Sequence, residues 1–474
     1  MSRVDTAWLR MDTPQNLMMI IGVWLLEPGV DHATLCARIE ERLLAYRRFK
    51  QKVVEDAMGA SWVADAGFDI ARHVVRETLP ADGRLARREA LEARVAELAA
   101  TPLDPHRPLW QMHLIEDYPG ADGRPGSALV ARIHHCIADG IALISVMLSI
   151  TDGGKPPPAR KRRAKAEAEE GEGLADTLLE AISTAAIKAI GLSGQGVSKS
   201  IEMLAKPPQE LFGSIDMALA GAQVVKDVAA LALMPDDSPT RFKGKPLGSK
   251  RVAWCEPIAL DRVRVVGKAL GCSINDVLLG CAAGAIGAYL RGRGDDVTGQ
   301  EIRAMVPVNL RPLDQAWKLG NRFGLVPLVL PIGIANPVER VYAVKRRMNE
   351  LKGSYQPMLA FGVLAIAGLL IKPVQHALLN LFAKKATAVM TNVPGPATPL
   401  AFCGATLKQT MFWVPQSGDI GMGLSILSYG GGVQFGLITD AGLCPDPRAV
   451  IAGFEPEFEK LLVAVLMLPW GDDG

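Results

Sequence analysis

The chain has 474 residues, 49% of them hydrophobic and only 5% aromatic, with 52 basic and 50 acidic side chains for a net charge of +2. That length allows two to three domains with a large core, and the near-neutral balance excludes a global pull toward nucleic acid. Seven scattered cysteines with no CxxC spacing exclude a disulfide framework and a zinc-finger module, and favour a reducing compartment.

In chain order, the first ten residues carry Arg3, Asp5 and Arg10 without a long apolar run, so they do not read as a signal peptide. Residues 20–26 (IIGVWLL) read as a strand ended by Pro28 and Gly29. Residues 31–45 have helical periodicity with Asp31 as N-cap, and 84–100 form a charged amphipathic helix. A buried strand at 127–133 and an apolar helix at 141–150 bracket the string His134-His135-Cys136-Ile137-Ala138-Asp139-Gly140.

Two adjacent histidines followed by an acid and a glycine are conspicuous in a chain with seven histidines. They sit on a turn between strand and helix, where a side chain can be aimed into a cleft. A neutral imidazole is the natural base near pH 7, because its unperturbed pKa is about 6.5. His135 is therefore the candidate general base, taking a proton from a hydroxyl that attacks a carbonyl; such help is typically worth ~10²–10⁴ in rate. No Gly-x-Ser-x-Gly elbow occurs, so direct transfer is simpler than a serine acyl-enzyme. His134 reads either as part of this chemistry or as a satisfied core histidine. Asp139 also suits the cap of the following helix, and Gly140 permits a tight backbone there.

Residues 152–176 hold a Gly-Gly, a Pro-Pro-Pro, a basic run (Arg160 to Lys165) and an acidic run (Glu167 to Glu172). They read as a solvated linker, with contact of the basic run to anionic headgroups as the alternative. Helical segments rich in Ala and Leu follow at 178–233. A second αβ region begins near residue 252, with helices at 260–270 and 275–291. It continues with strands at 303–308, 325–330 and 388–392, and a hairpin of 423–428 with 433–438. The division is 1–151 for a first lobe, 152–245 for the linker and connector, and 246–474 for a second lobe. The apolar stretch at 357–383, broken by Lys372 and Pro373, is too short on either side to cross a membrane. It reads as a buried or groove-lining helix, or as one that dips into a lipid surface.

His134-His135-x-x-x-Asp139-Gly140 resembles the active-site signature of the coenzyme A-dependent acyltransferase superfamily. Within it the chain is most similar to the bacterial wax ester synthase/diacylglycerol acyltransferase family. Pro108-Leu109-Trp110, Asn275-Asp276, Val308-Asn309-Leu310-Arg311, Gly320-Asn321 and Thr391-Asn392-Val393-Pro394 look like further blocks of that family. The resemblance runs from about residue 12 to 445. It implies an α/β (α+β) fold of two chloramphenicol-acetyltransferase-like lobes with a tunnel between them. It implies an acyl-coenzyme A co-substrate and a diacylglycerol or fatty-alcohol acceptor, with no bound cofactor, no metal and no nucleic acid.

His135 is the family's base. Asp139 is expected to be structural, paired with an arginine for which Arg311 is the candidate. Asn275 and Asp276 are either catalytic or capping residues, and Asn275, Thr391 and Asn392 are unranked oxyanion donors. The scattered cysteines and the water-insoluble products that the resemblance implies lead to a cytoplasmic location as the expectation, with a peripheral place on the inner membrane face or on lipid droplets as the alternative. Two rivals remain: a condensation-type transferase fed by an acyl carrier protein, and a non-catalytic lipid-binding protein.

Overall fold

The computed structural model describes residues 1–56, 59–79, 84–120, 123–155, 234–312, 315, 317–351, 357, 360–362, 364, 375, 379–380 and 383–467. Most of the linker and the helical connector, 156–233, lie outside the described residues, as does most of the apolar stretch at 357–383.

The first part of the chain runs α1 (Arg3–Arg10), β1 (Met19–Glu27), α2 (His32–Arg42), the ribbon β2 (Gln51–Asp56) and β3 (Gly59–Ala64), β4 (Val74–Glu77), α3 (Arg84–Ala100), β5 (Trp110–Ile115), β6 (Ser127–His134) and α4 (Gly140–Ile150). The second part runs β7 (Lys250–Trp254), β8 (Ile258–Ala259), α5 (Leu260–Ala269), α6 (Ile274–Gly292), β9 (Ile302–Asn309), β10 (Phe323–Leu330) and α7 (Pro337–Leu351). It ends with β11 (Ala388–Pro394), β12 (Ala401–Phe402), β13 (Ala405–Trp413), β14 (Met422–Tyr429), β15 (Gly432–Asp440), α8 (Pro447–Ile451) and α9 (Phe454–Leu466).

Local chemistry sets several boundaries. Asp31 caps α2 by accepting the Thr34 N–H at 2.9 Å. Ser273 and Asp276 form a reciprocal capping box at the start of α6. The β14–β15 hairpin turns through Gly430 and Gly431 at φ 57° and 83°, the positive angles that a tight two-residue hairpin turn demands.

Two mixed sheets result. One has the order β12-β13-β1-β6-β5-β4, and the other β10-β9-β11-β14-β15-β7 with β8 added beside β15. Within the second sheet, β15 is buried along its whole length, its Gln434, Thr439 and Asp440 included.

The division of the chain at residue 246 needs correction at this point. β12 and β13 come from the second segment but complete the first sheet, where Ile21 pairs with Trp413 and Glu27 with Thr406. The physical reason is the edge of β1. Left bare, it would expose a row of unpaired backbone groups on a largely apolar strand, and the crossing strand covers it. A separate apolar cluster marks the seam between the sheets, with Ile21 and Val23 of β1, Val130 of β6, Trp254 of β7 and Trp413 of β13. Among the described residues no single helix is long and apolar enough to cross a membrane.

Candidate active site

Strand β6 lies between β1 and β5, with His134 opposite Met19. Alternation along the strand sends Leu129 and Ile133 into the core of the first lobe and Ala128 and Val130 into the seam. The chain leaves the sheet at His134 and His135, and the two rings reach different surroundings. His134 Nε2 meets Asp12 Oδ2 at 3.2 Å, and its Nδ1 accepts the Cys136 backbone N–H at 3.1 Å. An accepting Nδ1 carries no proton in this geometry, so the ring's proton is on Nε2, facing Asp12. Asp12 also accepts the Met18 N–H at 2.6 Å, and the Met18 carbonyl in turn accepts the His135 N–H at 2.7 Å.

His135 is 3% exposed. Its ring stacks on Trp8 at 4.1 Å between centroids and 18° between planes, with Phe323 tilted at 5.4 Å. It borders a cavity of about 210 Å³ with Trp8, Pro307, Phe323, Leu325 and Val389. Burial among these groups pushes its pKa down to about 3. The His135 carbonyl and the Asn321 amide act in the opposite sense. The imidazole is therefore neutral at physiological pH, the state a base must be in. On the other side of the histidine pair, His134 and Asp12 border a larger cavity of about 550 Å³ with Leu17, Met19, Lys52 and Leu103.

Asp139 is consumed by structure. One carboxylate oxygen accepts the Ala142 N–H at 2.9 Å and caps α4. The other accepts the Arg322 N–H at 2.9 Å and pairs with Arg311 Nη2 at 3.1 Å. The same Nη2 donates to the Gly320 carbonyl at 2.8 Å, and that carbonyl also receives the Asp139 N–H. Gly320 has φ 116°, and a Cβ there would face Arg48 and Asp5, so a side chain at this position would strain the turn. Gly140 begins α4 at the cavity wall.

The remaining candidates divide. Thr391 and Asn392, on β11, line the same cavity as His135. Asn275 stands behind them, where its Oδ1 accepts a hydrogen bond from Asn392 Nδ2. Asp276 takes the capping alternative: its carboxylate accepts the Ser273 N–H at 2.9 Å, which ties it to the first turn of α6. The local pattern Ser-x-x-Asp is a capping signature that carries this role without any tertiary partner. Of the apolar stretch at 357–383, the described residues Ala360, Leu364, Leu379 and Ala383 line the cavity, which is the groove-lining alternative.

Residues that sequence reasoning passed over complete the surroundings. Helix α1 contributes Trp8 and the buried Asp5, which accepts the Asn321 backbone and side-chain N–H groups at 3.1 and 2.8 Å. Asn321 also donates to the His135 carbonyl at 2.8 Å. The signals present in the sequence were the Ser2-x-x-Asp5 cap pattern, which marks a helix start, and the Gly320-Asn321 block.

Comparison with known proteins supplies the family and the fold. The family model for the wax ester synthase/diacylglycerol acyltransferase catalytic domain matches residues 1–278, and the one for the family's C-terminal domain matches 319–462. The chain is 26% identical over 476 residues to a Mycobacterium tuberculosis protein named a probable diacylglycerol O-acyltransferase, covering 98% of this chain and 95% of that one. Its fold is similar to that of a wax ester synthase/diacylglycerol acyltransferase from Marinobacter aquaeolei (TM-score 0.65, 21% identity, 98% of both chains). It is also similar to the starter condensation domain of rhizomide synthetase, solved with an eight-carbon acyl-coenzyme A (TM-score 0.54, 14% identity, 98% of this chain and 94% of that one). The α/β fold is thus the two-lobed one of these acyltransferases. A buried neutral histidine at a His-His-x-x-x-Asp-Gly turn, set in matches that cover both lobes, makes this chain an acyltransferase belonging to the wax ester synthase/diacylglycerol acyltransferase family.

Proposed function

We propose that His135 is the general base for direct transfer of a fatty acyl group from acyl-coenzyme A to the hydroxyl of diacylglycerol or a long-chain alcohol, giving triacylglycerol or wax ester. The observation that carries this reading is a buried, neutral imidazole bordering an apolar cavity. The walls contributed by Trp8, Pro307, Phe323 and Leu325 suit a hydrocarbon chain, which gains about 0.8 kcal/mol per buried methylene.

The hydroxyl proton passes to His135 Nε2 as the hydroxyl oxygen attacks the thioester carbonyl. The carbon–sulfur bond then breaks, and the imidazolium returns the proton to the departing thiolate. Negative charge on the carbonyl oxygen needs a donor, worth about 3 kcal/mol in comparable sites. Thr391 and Asn392 have the placement for it, with Asn275 orienting Asn392 from behind. Asp139 and Arg311 hold the turn.

Coenzyme A as donor carrier is supported by family membership and by a fold neighbour solved with an acyl-coenzyme A. Both substrates and products are lipids. We therefore place the enzyme on the cytoplasmic side, peripherally at a membrane or lipid-droplet surface, a placement that co-sedimentation with vesicles tests.

The deciding assay is coenzyme A release from palmitoyl-coenzyme A with hexadecanol or dioleoylglycerol, for wild type and His135→Ala with matched melting profiles. Acceptor-dependent release that disappears in the folded variant supports the reading, and the better acceptor names the product. Release that survives in His135→Ala refutes His135 as base. No release with either acceptor refutes free acyl-coenzyme A as donor and points to a carrier-bound acyl group.

A further inference from the structure

Asn321 is 7% exposed and follows the positive-φ Gly320. Its Nδ2 makes two short contacts to acceptors: the carboxylate of Asp5 at 2.8 Å and the carbonyl of His135 at 2.8 Å. Both amide hydrogens are thereby spent. The orientation of the carboxamide is also settled, because the opposite one would set its oxygen against a carboxylate and a carbonyl.

What remains is Oδ1, buried and without a hydrogen-bond partner among the described residues. The Nδ1 of His135 is likewise buried and unpartnered there. A buried acceptor and a buried ring nitrogen thus lie on two residues already joined by a hydrogen bond, and the two acceptors that act on this ring are the Asn321 carboxamide and the His135 carbonyl, which Asn321 Nδ2 already occupies. Leaving both unmade carries the desolvation cost of two buried polar groups with no return. The Asn321 amide also acts on the His135 ring in the sense that favours its charged form.

The anchor behind Asn321 is firm. Asp5 is 1% exposed, takes the Asn321 backbone N–H as well, and is balanced by Arg48 Nη1 at 3.3 Å. Arg48 in turn donates to the Ile137 carbonyl at 2.8 Å, inside the same turn that carries the histidines.

We propose that Asn321, oriented by Asp5, is the positioning residue for His135. Its carboxamide oxygen takes the Nδ1–H, which holds the ring in the tautomer whose Nε2 is bare. The same contact steadies the imidazolium formed when Nε2 accepts the hydroxyl proton. A contact loose in the free enzyme tightens at that moment, as catalytic hydrogen bonds commonly do. The role rests on the reading of His135 as base; the tautomer itself does not.

The test is ¹⁵N NMR of the enzyme labelled on histidine, with the His135 signals assigned by their loss in His135→Gln. Wild type is expected to show Nδ1 protonated and Nε2 bare at pH 7.5. Asn321→Ala is expected to populate the Nε2–H form, and to lower kcat by ~10²-fold, the low end of general-base help, with KM changed little. Asp5→Asn, which frees the amide to turn over, should fall between the two. A wild-type His135 with Nε2 protonated overturns the proposal, even if Asn321→Ala does not fold. So does an Asn321→Ala enzyme with unchanged tautomer and kcat. If His135→Gln keeps full turnover while the tautomer is as expected, the base reading fails and the Asn321 contact stands.

Discussion

Removing the Asp139 carboxylate is expected to cost far more stability than an ordinary helix cap. The Asp139 and Arg311 side chains are 4% and 6% exposed, and their contact is 3.1 Å. In Asp139→Ala the guanidinium keeps the Gly320 carbonyl, but its Nη1 is already buried and unpartnered among the described residues. An uncompensated buried charge costs about 3–5 kcal/mol, against about 1 kcal/mol for a lost cap alone. For a cooperative unit of 474 residues, unfolding entropy of roughly 2 cal/mol/K per residue turns that loss into a fall in Tm of about 3–5 °C. The cycle Asp139→Ala, Arg311→Met and the double variant isolates the charge. The double variant should regain about half of the loss, because the stranded cation is gone while the Ala142 and Arg322 amides stay without their acceptor. Calorimetric scans at one rate, with coenzyme A release measured alongside, give both readouts. Equal and additive effects, with Asp139→Ala no worse than 1 kcal/mol, would refute the pair as the anchor of this turn.

Stability should fall in acid because of His135. Its pKa drops from 6.5 to about 3 on folding, so between those values the unfolded chain binds a proton that the folded one refuses. Stability from this group is complete above pH 6.5 and declines toward pH 3 by up to about 1.4 kcal/mol per pH unit. Urea midpoints from pH 7 to 4 should have a shallower slope in His135→Leu, and an identical slope contradicts the burial argument. Trp8→Ala should lose about 3–5 kcal/mol as a buried aromatic truncation, together with most turnover, while Trp8→Phe keeps a stacked ring and most of both; equal activity in the two variants would remove the stack from the mechanism. Asn275→Ala, which releases Asn392, should lower kcat with little change in Tm. Asp276→Ala should cost about 1 kcal/mol of stability and lose turnover only in step with it, so the reverse ranking in kcat would return Asp276 to the chemistry.

What the amino-acid order determined by itself is what depends on near neighbours. The apolar run before His134, the Asp139 cap, the Asp31 cap and the Ser273–Asp276 box are all written within a few residues, so β6, α4, α2 and α6 begin and end close to where periodicity puts them. The His-His turn was legible for the same reason, and so was the adjacency of Thr391 and Asn392 on one strand. Tertiary structure decided which surface covers which. Periodicity marks an apolar face but does not say what it packs against, so nothing local announces that β13 closes the sheet begun by β1. Nor does it announce that α1 lays Trp8 on His135. Asp139 and Arg311 are far apart along the chain and meet only because β6 and the segment after β9 converge on Gly320. The low basicity of His135 is likewise a tertiary property: its cause is desolvation by residues drawn from both lobes, and desolvation exists only once those residues have closed around the ring.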